Sequence, residues 1–265
     1  MNNLEAKVYI VGAGPGDPDL ITLKGERILR EADVILYTDS LVSEELIARA
    51  RADAMILKSA GMALEEIVET MVTHVQQGKS VARIHTGDPA VYGAIFEQMV
   101  QLKKHGVPFE IVPGVSSVFA SAAVLGAELT VPGLTQTVIL TRAEGRTPVP
   151  EKEKLKDLAA HHATLALFLS ATLTKKVVRE LLEAGWSQDT PVAVVQRATW
   201  PDQRIVRSTL SRLDEDMRQN GIRSHAMILA GWALDEHLGE KGDALRSKLY
   251  DKTFTHGYRK GAGVR

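Results

Sequence analysis

The stretch VYIVGAGPGDPDLITLKG, residues 8–25, decides the predicted fold, because an apolar strand runs straight into a glycine-rich loop and then into a helical pattern. Such a loop suggests a phosphate cradle, but the dinucleotide fingerprint requires a third glycine where Asp17 stands. The other common pattern ends in Gly-Lys-Ser/Thr, and here Lys24 precedes its glycine. The loop therefore predicts a parallel α/β sheet without predicting a bound phosphate.

Length and composition limit the possible classes of protein. The 265 residues, 45% of them hydrophobic, are enough for one large domain or two ordinary ones. The net charge of −1 argues against nucleic acid as an obligate partner. No run approaches the roughly 18 apolar residues of a membrane span, and MNNLEAKVYI enters a strand without a signal-peptide pattern. We therefore expect a cytoplasmic protein with no membrane partner.

The chain has no cysteine, which excludes disulfides, thiolate metal sites and a cysteine nucleophile. His161 and His162 lie together without a further ligand at helical spacing, so we predict no metal site. The chemistry must depend on oxygen and nitrogen groups or on a cofactor.

Short apolar runs alternate with helical periodicity along most of the chain, which indicates βαβ units. The strand candidates are KVYIVG, DVILY, AMILK, SVARIH, FEIVPG, QTVILT, TLALFLS, PVAVVQ, QRIVRSTL and HAMILAG. The pattern predicts two α/β domains with mostly parallel central sheets, and the turn signal at Pro113 and Gly114 marks the boundary between them. The expected domains are residues 1–113 and 114–238, followed by a basic tail at 239–265.

The segment RIHTGDPAVYGAI predicts a strand ending at His85, a tight turn at Gly87 and a helix beginning near Ala90. Asp88 followed by Pro89 is a favourable helix start, which by itself is a purely structural explanation. The functional alternative is that the turn lies at the carboxyl edge of a parallel sheet with its backbone open to a cofactor.

Other polar residues also follow predicted strands. Asp39 and Lys58 would lie at the same carboxyl edge, and Ser116 would precede a helix. In LTRAEGRTPVPE, two arginines crowd a loop directly after a strand, where they could bind carboxylates through bidentate hydrogen bonds.

Several motifs together resemble the tetrapyrrole methylases, two-domain methyltransferases that use S-adenosylmethionine. The resemblance covers about residues 7–235 and rests on VYIVGAGPGDPDLITLKGERILREADVILY, HTGDPAVYGA, VPGVSS and HAMILAG. It implies a cofactor cleft between two α/β domains, in which the glycine-rich loop takes part and no pyrophosphate is bound. Asp17 then has no anion to repel.

Within that family, KSAGMALEE, LTRAEGRTPVPE and SKLYDKTFTHGYRK resemble the branch that methylates C-11 of precorrin-4 or cobalt-precorrin-4 in cobalamin synthesis. The uroporphyrinogen-III branch usually has an arginine where Ala94 stands, and its catalytic aspartate directly follows a tyrosine, whereas Thr38 intervenes here. Uroporphyrinogen-III or precorrin-2 methylation remains an alternative. An NAD-dependent oxidoreductase and a non-catalytic tetrapyrrole carrier are more remote alternatives.

The resemblance also implies residue roles and an assembly. It assigns catalytic roles to Asp39 and Lys58, and we assign binding of substrate carboxylates to Arg142 and Arg146. Related methylases pair, so a homodimer is expected. The implied contacts to S-adenosylmethionine, or to its product S-adenosylhomocysteine, are Pro15, Thr86, Gly87, Asp88, Val91, Ser116, Ser117, Leu169, Ala198, Ala226 and Met227.

Overall fold

The computed structural model describes residues 4–262, apart from the side chains of residues 241–244. The strands are β1 (Val8–Gly12), β2 (Val34–Tyr37), β3 (Met55–Lys58), β4 (Val81–His85), β5 (Phe109–Val112), β6 (Val138–Arg142), β7 (Thr164–Phe168), β8 (Pro191–Gln196), β9 (Arg204–Thr209) and β10 (Ala226–Ala230). The α-helices are α1 (Leu23–Glu31), α2 (Glu44–Ile47), α3 (Leu64–Gln76), α4 (Ile95–Lys104), α5 (Ser117–Leu125), α6 (Leu155–Ala159), α7 (Thr174–Glu183) and α8 (Leu213–Gln219). Every strand predicted from the sequence is present.

The chain divides into two compact units. The first is Met1–Ala120 together with Arg197–Asp202, and the second is Ser121–Gln196 together with Gln203–Arg265. The division falls within α5, a little after the boundary expected at Pro113 and Gly114. Residues 197–202, which the sequence placed in the second domain, belong to the first unit. The tail expected from residue 239 belongs to the second unit and contains short 3-10 helices.

The first unit contains a sheet in the order β3-β2-β4-β1-β5, and all its pairings are parallel. Successive side chains of a strand point to opposite faces, so Ile10 packs in one core with Met71 of α3 and Leu102 of α4. On the other face, Val11 packs in a core with Ile28 of α1. Burial on both faces explains why these strands read as nearly continuous apolar runs.

The second unit contains a sheet in the order β6-β7-β10-β8-β9. Only β6 and β7 pair in parallel, while β7–β10, β10–β8 and β8–β9 are antiparallel. The prediction of a mostly parallel sheet is confirmed for the first unit and wrong for the second. The connection from β8 to β9 covers only residues 197–203, which is too short for the crossover that parallel neighbours require.

The predicted helix near Ala90 begins instead at Ile95. Tyr92 and Ala94 have φ values of 56° and 50°, outside the right-handed helical region, so the chain turns at residues 89–92 before the helix begins. The loop after β4 is therefore longer than the sequence indicated.

Candidate active site

The carboxyl ends of β1 and β4 form a topological switch point in the first sheet. From β1 the chain continues to β2 on one side, whereas from the adjacent β4 it continues to β5 on the other. Open α/β sheets bind ligands in the crevice where such connections diverge. The loops after these two strands therefore form the candidate site in this unit.

Backbone hydrogen bonds join the two loops. Gly87 donates its N–H to the carbonyl of Gly14 at 2.8 Å, and Gly14 donates in return at 3.3 Å. Ala13 donates to the carbonyl of His85 at 2.7 Å. Gly87 has a φ of 62°, a left-handed conformation that favours glycine. The turn after β4 is thus fixed against the glycine-rich loop by main-chain atoms alone.

Glycine is required where these backbones approach each other. A Cβ atom on Gly12 would lie 2.6 Å from the carbonyl oxygen of Gly87 and 2.7 Å from Cα of Gly114. A Cβ on Gly114 would clash with the same oxygen. At Gly87 the nearest neighbour of an added Cβ is Cα of Ser116 at 3.8 Å. A Cβ on Gly87 would therefore meet the start of α5 at ordinary van der Waals distances, without a clash.

Asp88 links the turn to the loop after β5. Its Oδ1 accepts the N–H of Ala90 at 2.8 Å, and its Oδ2 accepts the N–H of Gly114 at 2.9 Å. Both carboxylate oxygens are thus engaged by main-chain donors. The structural interpretation of Asp88 as a cap holds for a turn rather than for a helix.

The serines predicted after β5 lie at the start of α5 and beside the Gly87 turn. Ser116 is buried, and its hydroxyl accepts the N–H of Val118 at 3.4 Å. Ser117 is the first residue of the helix. Thr86 and Val91 are both half-buried in the loop after β4. The structure therefore groups the predicted residues of these two loops at one place.

Sequence reasoning missed His85, the last residue of β4. Its side chain is only 6% exposed, and its Nε2 has no hydrogen-bond partner among the described residues. Burial, together with the charge of Arg83, lowers the pKa of His85 to about 3, so the imidazole is neutral at physiological pH. A usable signal existed in the sequence, because two polar residues alternate within the otherwise apolar VARIH.

Arg83 was also missed. Its buried guanidinium donates to the hydroxyl of Ser59 at 2.8 Å, to the carbonyl of Leu36 at 3.3 Å and to Oε1 of Gln98 at 3.3 Å. Burial lowers the pKa of Arg83 to about 10, which leaves the group charged at neutral pH. Among the described side chains no carboxylate pairs with it. Arg83 therefore connects the ends of β2 and β3 with α4.

The two residues with implied catalytic roles lie at the outer part of the same edge. Oδ1 of Asp39 accepts the N–H of Ala60 at 3.0 Å, which joins the loops after β2 and β3. Lys58 is 57% exposed and forms an ion pair with Glu44 at 3.1 Å. The hydrogen bond to Glu44 raises the pKa of Lys58, so this amine stays protonated at neutral pH and is not suited to act as a base.

The glycine-rich loop after β1 has a further neighbour. Residues 197–202 pack on it, and the indole N–H of Trp200 donates to the carbonyl of Pro15 at 2.9 Å. Ala198, an implied cofactor contact, is only 5% exposed. Asp17 caps the short 3-10 helix Pro18–Leu20, because its carboxylate accepts the N–H of Asp19.

In the second unit, four of the predicted residues share one sheet edge. Arg142 is opposite Phe168 at the carboxyl ends of β6 and β7, and Leu169 follows with a φ of 51° and 71% exposure. Ala226 and Met227 begin the antiparallel β10, whose Ile228 pairs with Leu167. The register thus places all four at the same end of this sheet.

The arginine loop, residues 142–149, differs from what the sequence suggested. The guanidinium of Arg142 donates to the carbonyls of Thr147 at 3.2 Å and Pro148 at 2.7 Å. Glu144 accepts the N–H of Val149 at 3.3 Å, and its own carbonyl accepts from Lys176 at 2.8 Å. Arg146 is exposed and has no hydrogen-bond or ionic partner among the described residues. Arg142 therefore orders the loop, and Arg146 alone presents a free cation there.

A metal-ligand cluster and a membrane-spanning helix are both absent from the described residues. No group of three or more His, Cys, Asp or Glu side chains in this part of the chain could hold a metal ion. No helix within the same part is long and apolar enough to cross a membrane. The expectation that no metal is needed stays a prediction.

Comparison with known proteins identifies the family. The family model for tetrapyrrole (corrin/porphyrin) methylases matches residues 7–214. A cobalt-precorrin-4 C(11)-methyltransferase from Priestia megaterium is 68% identical over 255 residues, which cover 96% of this chain and 98% of that protein.

Solved structures agree with the sequence comparison. An X-ray structure of a cobalamin biosynthetic enzyme, cobalt precorrin-4 methyltransferase, matches with a TM-score of 0.85 and 68% identity over 87% of this chain and 96% of that chain. The uroporphyrin-III C-methyltransferase of Thermus thermophilus, solved with S-adenosyl homocysteine, matches with a TM-score of 0.72 and 33% identity over 86% and 93%. The chain therefore belongs to the tetrapyrrole (corrin/porphyrin) methylases.

Proposed function

We propose that this protein is an S-adenosylmethionine-dependent methyltransferase that methylates C-11 of cobalt-precorrin-4 or precorrin-4 during cobalamin synthesis. The observation that carries the proposal is the 68% identity to a cobalt-precorrin-4 C(11)-methyltransferase along 98% of that protein's length. The same relative favours the cobalt-containing substrate over the metal-free one.

The loops after β1, β4 and β5 fit a hydrogen-bonding cofactor that has no pyrophosphate better than a dinucleotide. The main chain at Gly87 is less crowded than that at Gly12 or Gly114, because a Cβ there would meet only ordinary van der Waals contacts. Both oxygens of Asp88 and the carboxylate of Asp17 are engaged by main-chain N–H groups, so these acidic residues order the loops. The main chain at Thr86, Gly87, Ser116 and Ser117 would hold the cofactor in this unit. Val91, Pro15, Ala198, Leu169, Ala226 and Met227 complete the proposed contacts.

S-adenosylmethionine supplies a methyl group that is already strongly electrophilic, and a reduced tetrapyrrole carbon is already electron-rich. The protein's main task is to hold the two in line and exclude water. Alignment of this kind supplies on the order of 7–11 kcal/mol towards the barrier. The main-chain hydrogen bonds between Gly14 and Gly87 suit that task, because they fix the two loops against each other.

Proton removal makes a smaller demand on the protein. Lys58 is held protonated by Glu44 and is not proposed as the base. Asp39 is the better candidate, because Oδ1 is engaged by Ala60 while Oδ2 has no hydrogen-bond partner among the described residues. Arg146 is the proposed ligand for a substrate carboxylate, since tetrapyrroles of this class carry several acetate and propionate groups.

The proposed function is tested by incubating the protein with S-adenosylmethionine and, separately, cobalt-precorrin-4, precorrin-4, precorrin-2 and uroporphyrinogen-III. We expect the mass of one added methyl group in the precorrin-4 arms and none in the others. Methylation of uroporphyrinogen-III or precorrin-2 instead would move the protein to another branch of the family.

Calorimetry separates the remaining alternatives. We expect S-adenosylhomocysteine to bind in the presence of a chelator, and NAD not to bind. NAD binding would support an oxidoreductase, and a tetrapyrrole that binds without any methyl transfer would support a carrier. Loss of S-adenosylhomocysteine binding on chelation would contradict the proposed absence of a metal.

We also propose that the protein is a homodimer, by analogy with related methylases. Exposed apolar side chains such as Phe119 and Leu134 offer surface that a second copy would cover. Light scattering at micromolar concentration should give twice the mass of one chain, and the mass of a single chain would refute the dimer.

A further inference from the structure

Thr199 and Trp200, which belong to none of the motifs described above, form hydrogen bonds with the glycine-rich loop after β1. The N–H of Asp17 donates to the hydroxyl of Thr199 at 2.9 Å, and the indole N–H of Trp200 donates to the carbonyl of Pro15 at 2.9 Å. These partners are 182 and 185 residues apart in sequence. Both contacts lie within the first compact unit, to which residues 197–202 belong.

The close fit extends to Gly16. A Cβ atom there would lie 2.5 Å from Nε1 of Trp200 and 2.9 Å from the carbonyl oxygen of Ala198. Any side chain at Gly16 would therefore require Trp200 or the carbonyl of Ala198 to shift. The third glycine of the GAGPG run thus permits this contact.

The 197–202 segment adopts a strained backbone in order to make these contacts. Arg197 has a φ of 49° and Thr199 a φ of 67°, and the left-handed region is unfavourable for a β-branched residue. The guanidinium of Arg197 lies 4.0 Å from the centre of the Trp200 ring and pairs with Asp202 at 2.7 Å. Backbone strain of this kind persists where surrounding contacts over-determine it, and it concentrates at functional sites.

We propose that Thr199 and Trp200 are positioning residues for the cofactor: they hold the Pro15 carbonyl and the Asp17 amide so that the glycine-rich loop is ordered before the cofactor binds. This inference rests on the proposed function. If the loop is only partly ordered, apparent affinity falls by the fraction of molecules that are binding-competent. The methyl-transfer step, once the cofactor is bound, is unaffected.

The decisive variant is Trp200→Phe, which keeps an aromatic ring on Gly16 and removes the hydrogen bond to Pro15. Its matched control is Trp186→Phe, because the indole of Trp186 donates in the same way to the carbonyl of Ala159 at 2.8 Å in the second unit. Loss of one such bond corresponds to a change of about 3- to 10-fold in an equilibrium constant. We expect Trp200→Phe to raise the dissociation constant of S-adenosylhomocysteine by that factor and to leave kcat at saturating cofactor within about twofold. Trp186→Phe should not change the dissociation constant.

Thr199 provides an independent measurement. Thr199→Val removes the acceptor for the Asp17 amide at nearly constant shape, whereas Thr199→Ser keeps it. Hydrogen exchange of the Asp17 amide should accelerate in Thr199→Val and stay slow in Thr199→Ser, and the dissociation constant of S-adenosylhomocysteine should follow the same order. This readout needs neither substrate nor turnover.

The outcomes separate the inference from the proposed function. A wild-type protein that binds no S-adenosylhomocysteine refutes the proposed function and this inference with it. Wild-type binding with no change in Trp200→Phe or Thr199→Val overturns the inference alone. Equal weakening in Trp200→Phe and Trp186→Phe would also overturn it, because general destabilisation would then explain the loss.

Discussion

The Gly87 turn of the first unit and the arginine loop of the second are both ordered, but by different groups. In the turn, Gly14 and Gly87 exchange main-chain hydrogen bonds. The lack of a Cβ atom on the neighbouring glycines permits the close approach of the two backbones. In the arginine loop, the side chain of Arg142 bonds to the carbonyls of Thr147 and Pro148. The first arrangement tolerates no added Cβ at its closest contacts, whereas the second depends on individual side chains.

This difference changes how the sequence of each loop should be interpreted. A glycine cluster marks loops whose shape is set by main-chain contacts, so substitutions there should alter the whole carboxyl edge of the first sheet. A cationic loop residue can also be a structural donor within its own loop, as Arg142 shows.

Gly114→Ala should have the largest effect, because its Cβ would clash with the carbonyl oxygen of Gly87 and lie 2.8 Å from Cα of Gly12. Overpacking against a backbone that cannot move costs about 3 kcal/mol. Denaturant unfolding should show that loss, together with weaker binding of S-adenosylhomocysteine. Gly61→Ala is the matched control, since nothing lies within 4 Å of its added Cβ. Equal stability of the two variants would contradict the close approach.

Gly87→Val should cost about 2 kcal/mol, because a branched side chain is strained at a φ of 62°. Binding of S-adenosylhomocysteine should fall by more than tenfold. Gly87→Asn separates backbone strain from added bulk, because asparagine tolerates the left-handed region but still places side-chain atoms beside the start of α5. Calorimetry should show weak binding for Gly87→Asn at nearly normal stability. Normal binding in this variant would mean that the added side chain does not reach the cofactor.

The carboxyl edge of the first sheet also differs from the arginine loop because it contains the buried, neutral imidazole of His85. The pKa of His85 in the folded protein, about 3, lies below the ordinary value of 6.5. Its stabilising contribution is therefore complete above pH 6.5 and is lost as the pH falls towards 3, because the unfolded chain takes up the proton first. The free energy of unfolding should fall by up to about 1.4 kcal/mol per pH unit between pH 6.5 and 5 from this group.

His85→Gln tests that dependence. The variant should show a correspondingly smaller slope of unfolding free energy against pH, whatever its stability at neutral pH. His161→Gln, at an exposed position, should keep the wild-type slope. Identical slopes for the wild type and His85→Gln would show that His85 is accessible to protons in the folded protein.

The smallest effects should come from the arginine loop, and the two arginines should differ. Arg142→Ala should lower the free energy of unfolding by about 1 kcal/mol, because two carbonyls lose a charged donor. Arg146→Ala should leave stability within about 0.5 kcal/mol and raise KM for the tetrapyrrole about fivefold, since an exposed ion pair contributes at most about 1 kcal/mol. Neither variant should change affinity for S-adenosylhomocysteine. If Arg142→Ala raised KM and Arg146→Ala did not, the substrate role would belong to Arg142.

The sequence by itself determined the elements and the family. All ten strands were predictable because apolar and β-branched residues cluster at strand length between turn signals, as in VYIVG and AMILA. The glycines of the first loop and of the HTGDP turn marked the two loops that pack against each other, because a left-handed or crowded backbone leaves few alternatives to glycine. Strand propensity and the conformational freedom of glycine are local properties, so they can be predicted from a short stretch of sequence.

The tertiary structure alone decided how the elements are paired and which polar groups remain free. Nothing in HAMILAG states that β10 runs antiparallel between β7 and β8, since strand direction depends on the whole chain path. The sequence of the arginine loop does not indicate that Arg142 donates hydrogen bonds to loop carbonyls while Arg146 has no partner among the described residues. The hydrogen bond from the indole of Trp200 to the carbonyl of Pro15 joins residues that are 185 positions apart in sequence. Contacts of this kind depend on where distant segments meet in the fold, and that is set by packing rather than by local pattern.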